Sequence, residues 1–171
     1  MNHRSIETIV CALNGAGVRY LIVGGLAVVA HGFVRFTADL DLVLDPGPDA
    51  MNRAIAALSE LGYRPRAPVD FRDFADPAMR SAWKNEQGLT VFSASSSAHQ
   101  ATEVDLFLEP PFDFEQAHAR AARFELTRDV VATFVSVPDL IEMKRAAGRP
   151  QDLQDIEGLR SVRPDSEAAG E

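Results

Sequence analysis

Several things are scarce in this chain, and each shortage excludes something. There is one cysteine, Cys11, in 171 residues, so neither an internal disulfide nor a cysteine-rich zinc site can be built. Cys11 sits among Ile9, Val10 and Leu13, which predicts a buried, inert thiol. The setting this implies is a reducing cytoplasm. No long apolar run exists either. The stretch from Tyr20 to Ala30 is broken by Gly24-Gly25 and is far short of the roughly 20 residues that a membrane span needs. No signal-peptide-type run follows Arg4. Basic charge is in deficit, with 17 Lys and Arg against 25 Asp and Glu and a formal net charge of −8. Broad non-specific DNA binding is therefore not expected, because such surfaces run basic.

What is present fits one globular domain. The hydrophobic content of 46% and charged content of 25% are ordinary, and the length suits a single core. Ile6, Ile9, Val10 and Leu13 recur at helical spacing, with Ser5 as the predicted N-cap and Gly15/Gly17 as the stop. Tyr20–Val23 reads as a buried strand, Leu26–His31 as a short helix closed by Gly32, and Asp39–Leu44 as a second strand. An amphipathic helix follows from Ala50 to Leu61. The segment from Tyr63 to Gly88 is hard to read. Arg64, Pro65, Arg66 and Pro68 suggest an exposed connection, and Asp76-Pro77 opens a helix to about Lys84. Two strands are predicted at Leu89–Ala94 and Thr102–Leu108, joined by a Ser/Ala-rich loop, then a helix at Phe114–Ala122. A β-pair turns at Thr127-Arg128-Asp129, and two helices follow, separated by Gly148-Arg149-Pro150. Residues 1–162 form the predicted domain, and the polar segment 163–171 is predicted to be a disordered tail.

The chemistry concentrates between Gly24 and Asp41. Side chains alternate across a strand, so Asp39 and Asp41 point one way and Leu40 and Leu42 the other. Two same-sided carboxylates about 7 Å apart repel each other unless water or a cation intervenes. Asp105 is a third acid, set in the otherwise apolar run Val104-Asp105-Leu106-Phe107-Leu108, where a buried unpaired carboxylate is costly. It marks either a salt bridge or, with Asp39 and Asp41, an oxygen cage suited to Mg²⁺. His3, His99 and His118 show no ligand spacing, and Trp83 and Tyr63 read as core or interface aromatics.

The order Gly-Gly-x-Ala-x-x-x-His-Gly-x-x-Arg-x-Thr-x-Asp-x-Asp from Gly24 to Asp41, the later Asp105, and Lys144-x₄-Arg149-x₂-Asp152-x₂-Asp155 together resemble a known family. It is the polymerase-beta-type nucleotidyltransferase superfamily, and within it the abortive-infection-type toxins and related small bacterial proteins. The resemblance covers roughly residues 18 to 160. It implies an α/β (α+β) fold, a mixed β-sheet flanked by helices. It also implies transfer of a nucleoside monophosphate from an NTP such as ATP to an RNA (tRNA among the candidates) or protein acceptor. Asp39, Asp41 and Asp105 would hold two Mg²⁺ ions and carry the catalysis. Gly24, Gly25, Arg35 and Lys144 would bind the nucleotide.

A cognate antitoxin partner is implied by the resemblance alone. Arg35 has a second reading, an ion pair with Asp39 or Asp41, and Lys144 a second reading as a solvated lysine. His31 reads as packing, and Arg149, Asp152 and Asp155 as mainly architectural. Two other functions stay open: a small-molecule (antibiotic) nucleotidyltransferase, and a non-catalytic binding or antitoxin module.

Overall fold

The computed structural model describes residues 2–162; the expectation for 163–171 lies outside the described residues. The chain runs α1 (His3–Gly15), β1 (Tyr20–Ile22), α2 (Gly24–Ala30), β2 (Asp39–Leu44), α3 (Pro48–Glu60), β3 (Arg64–Pro65) and α4 (Pro77–Gln87). It continues with β4 (Val91–Ser95), β5 (Glu103–Phe107), α5 (Phe114–Ala119), β6 (Ala122–Thr127), β7 (Val130–Phe134), α6 (Val137–Ala147) and α7 (Pro150–Val162). The strands make one seven-stranded mixed sheet in the order β3-β4-β5-β2-β1-β7-β6. Pairs β2/β5 and β1/β7 are parallel, and the rest are antiparallel. This is the predicted α/β architecture of a mixed sheet flanked by helices.

The centre of the sheet is fixed by alternation. Leu40, Leu42, Val104 and Leu106 are fully buried, each worth about 1.5–3 kcal/mol of burial, while Asp39, Asp41 and Asp105 on the same two strands are only half-buried. A slip of one residue would exchange these faces, so burial sets the register.

Two local predictions are corrected. Helix α1 is capped by Asn2, whose side chain accepts from the Arg4 N–H, while Ser5 is buried inside the helix. Cys11 is exposed. Its apolar neighbours Ile9, Val10 and Leu13 occupy the inward face, and one residue on from Val10 is about 100° around the helix, toward solvent. The segment that was hard to read forms a short edge strand, β3, where proline is tolerated. A 3₁₀ turn at Phe71–Ala75 then inserts Phe71 and Phe74 into the core. Asp76 caps α4 as its sequence suggests. No helix among the described residues is long and apolar enough to cross a membrane.

Candidate active site

Because β2 and β5 are parallel neighbours, their pairing sets Asp41 beside Asp105 and Asp39 beside Glu103. Asp39, Asp41 and Asp105 all line one cleft of about 750 Å³. Its remaining walls include Gly24, Gly25, Arg35, Thr37, Lys144 and Arg149. All seven site residues predicted from sequence therefore meet in one place. Strand β4 adds a residue that the sequence did not mark. Ser93 is paired with Asp105 across β4/β5, and its hydroxyl donates to Asp105 Oδ1 at 2.5 Å. Only the strand register brings these two together.

The carboxylates are short of positive charge. Burial, then the neighbouring Asp105 and Asp39, push Asp41 up to about 7, despite Lys144 nearby and a hydrogen bond from the Gly25 N–H. Burial, then Asp105 and Glu103, also raise Asp39 above the usual carboxylate range. Among the described residues, no three His, Cys, Asp or Glu side chains already converge as a metal cage. The donor set nevertheless suits a hard divalent cation: it is all oxygen, it faces an open cleft, and its repulsion is what a cation would relieve.

The glycine pair serves this acid face directly. The Val23 N–H donates to the Asp41 carbonyl at 3.0 Å, so the chain turns into α2 right over the Asp41 side chain. Gly24 has a φ of +62°, and a Cβ there would stand 2.0 Å from Asp41 Oδ2. A Cβ at Gly25 would meet Thr37 Oγ1 at 2.4 Å and the Arg35 guanidinium at 2.7 Å.

The basic residues are engaged with each other's acids. Lys144 is buried, with Nζ 2.9 Å from Asp152 Oδ1 and 2.7 Å from Asp155 Oδ2. Arg149 forks onto Asp152 from the exposed side, with Nε at 2.7 Å from Oδ2. Burial alone would raise Asp152, but hydrogen bonds from Arg149 and Lys144 hold it down to about 2. Arg35 pairs with neither Asp39 nor Asp41. Its Nε lies 2.9 Å from Asp155 Oδ1, in a contact too poorly aligned to count as a hydrogen bond. Lys144 therefore sits in the cleft wall as the centre of an ion cluster linking α6, α7 and the 33–38 connector, and is not a solvated lysine.

The remaining candidates lie elsewhere. His31 is buried and its Nε2 is 2.8 Å from the Val135 carbonyl, a bond that joins the end of α2 to the end of β7. Trp83 stacks on Phe92 and Tyr63 on His99, both inside the protein.

No family model matches the chain, and no curated protein matches its sequence. Solved structures do match its shape. The lincosamide antibiotic adenylyltransferase LnuA, bound to lincomycin, superposes with a TM-score of 0.63 at 13% identity, over 95% of this chain and 98% of that one. An antigenic nucleotidyltransferase-like protein from Paracoccidioides brasiliensis gives 0.62 at 13% identity, over 94% of this chain and 76% of that one. ANT(2'')-Ia in complex with adenylyl-2''-tobramycin gives 0.56 at 16% identity, over 93% and 87%. This chain has the nucleotidyltransferase fold. Within the nucleotidyltransferase fold, its acid pair lies at the centre of the sheet, on β2 and the neighbouring β5.

Proposed function

We propose that the chain is a divalent-cation-dependent nucleotidyltransferase. It moves a nucleoside monophosphate from a nucleoside triphosphate to an acceptor hydroxyl. The observation that carries this reading is the placement of Asp41 beside Asp105, with Asp39 two residues away, on the floor of a cleft walled by Gly24-Gly25 and by Arg35, Lys144 and Arg149.

Asp39, Asp41 and Asp105 are the residues that would hold Mg²⁺, two ions by the resemblance. Bound there, the ions neutralise phosphate charge and polarise the oxygens of an in-line displacement. Asp105 accepts the proton of the acceptor hydroxyl as the new O–P bond forms at the α-phosphorus. The bond to the β-phosphate oxygen breaks, and pyrophosphate leaves. Gly24 and Gly25 keep one wall free of side chains so that the triphosphate can approach. The Lys144 cluster adds positive charge to the lining from Arg149 and from Arg35, whose guanidinium lies against Gly25. Most of the acceleration comes from positioning and charge neutralisation.

For the acceptor, the charge of the cleft favours a small hydroxylated cation over a polyanion. Asp39, Asp41, Asp105, Asp139, Glu142 and Asp152 outnumber Arg35, Lys144 and Arg149 on the lining. Such a surface attracts cations. The LnuA and ANT(2'')-Ia structures were determined with lincomycin and an adenylylated tobramycin, which points the same way. An RNA or protein acceptor, with a toxin role, is the second reading and rests on the motif resemblance.

Incubating the protein with each labelled triphosphate (ATP first), Mg²⁺, and an amino-sugar and lincosamide panel or total RNA identifies the acceptor by what carries label. Asp39→Ala with Asp41→Ala is expected to abolish transfer. Unchanged transfer in that double variant would show that the acid face is not the active site.

A further inference from the structure

Strand β4 is locked in place by packing on its other face. Phe92 and Ala94 are buried, and the Phe92 ring lies against Trp83 at 5.0 Å, Phe74 at 5.3 Å and Phe71 at 5.9 Å between centroids. Ser93, between them, is held on the cleft-side face next to Asp105 by strand pairing. Its hydroxyl reaches Asp105 Oδ1 at 2.5 Å, in a partly buried position. Among the described residues no lysine or arginine pairs with Asp105. The hydroxyl therefore supplies its side-chain restraint.

We propose that Ser93 is a positioning residue for Asp105, donating to Oδ1 so that Oδ2 is presented to the cation and the acceptor hydroxyl. The proposal rests on reading the cleft as a nucleotidyl-transfer site. A carboxylate on one side-chain stem can swing about two torsions. A hydrogen bond from a rigid strand to one oxygen removes most of that freedom and leaves the second oxygen in a defined direction. Partners of this kind orient metal ligands, and their loss typically costs about 10- to 100-fold in metal affinity or activity. A bond that served packing alone would leave both unaffected when replaced by an apolar group of similar size.

The test uses the full chain and two readouts. Mn²⁺ binding in the presence of the non-transferable analogue AMPCPP is followed by electron paramagnetic resonance. Turnover is followed by label release as pyrophosphate. In Ser93→Ala, Mn²⁺ affinity is expected to fall about 10-fold, with kcat reduced even at saturating Mg²⁺. Ser93→Thr, which keeps the hydroxyl on a strand-compatible side chain, is expected to restore both. Thermal melting of Ser93→Ala should match the wild type. The proposal is overturned if Ser93→Ala keeps wild-type Mn²⁺ affinity and kcat, or if its losses follow a lowered melting temperature. It also fails if Asp105→Asn binds Mn²⁺ as tightly as the wild type. If the wild-type protein binds no Mn²⁺ with AMPCPP, the reading of the cleft itself fails, and a wild-type metal site insensitive to Ser93 defeats the Ser93 role alone.

Discussion

Gly24 is held by two constraints of different origin. Its φ of +62° lies where L side chains rarely go, and the place of its missing Cβ is filled by the Asp41 carboxylate. Backbone strain alone costs about 1–2 kcal/mol for an alanine there, and Asp41 must also move. Gly24→Ala is expected to lose at least about tenfold in transfer rate, because a misplaced reacting group is costly. It should also melt several degrees lower in calorimetry. Gly25→Ala tests the contrast. Its Cβ would also crowd Thr37 and Arg35, but its φ is not left-handed, so it carries no backbone strain. Its loss of stability should be smaller, and a loss equal to that of Gly24→Ala would contradict this account. Asp41 and Asp105 were recognisable as acids in apolar runs. Ser93 was not, because nothing in Phe92-Ser93-Ala94 distinguishes it from any strand serine.

At the scale of elements, the Lys144 cluster is what joins α6 to α7. Lys144 and Asp155 are almost completely shielded from water, and removing one member of a buried pair typically costs about 3–5 kcal/mol. Lys144→Met is thus expected to lower stability on the order of 3 kcal/mol as well as activity, measured by urea unfolding. A variant that lost activity with unchanged stability would make Lys144 a substrate contact instead. Helix α7 is also docked through Gly158, where a Cβ would fall 2.4 Å from the Phe33 ring. Gly158→Ala improves helix propensity by about 1 kcal/mol, yet it should destabilise the protein by about 1–3 kcal/mol through overpacking. Helix periodicity showed that α7 exists, but its weak amphipathic pattern did not show that Phe33 and Arg35 would pack against it.

For the molecule as a whole, the acid face is expected to make stability depend on pH and, under the proposed function, on cations. Asp41 titrates at about 7 in the fold against about 3.9 in an unfolded chain. Between those values the folded state holds a proton that the unfolded state has released, so stability falls as pH rises from about 4 through 7. At about 1.4 kcal/mol per unit, reduced because the cleft is open to water, the loss is on the order of 2 kcal/mol. In metal-free buffer, Asp41→Asn should flatten this dependence and melt higher than the wild type at pH 8 but not at pH 4. Adding Mg²⁺ at pH 8 should raise the wild-type melting temperature and raise that of Asp41→Asn less. A pH-independent wild type would remove the basis for the claim.

The sequence by itself determined most of the elements (β3 and the 3₁₀ turn at Phe71–Ala75 excepted), the two faces of the acid-bearing strands, and the three acids with their glycine pair. These follow from local periodicity and from residue types that are costly out of place. Only the tertiary structure decided which strand Asp105 joins, that Ser93 reaches it, and that Arg35 turns to Asp155 instead of the acids nearest in sequence. Cys11 was expected to be buried from its apolar neighbours, and the structure turns it to solvent, because the phase of a helix becomes definite only when a core gives it an inside. Pairing across a sheet and ion pairing between helices join residues far apart in the chain. Their energies depend on a shared low-dielectric interior that exists only once the chain has folded.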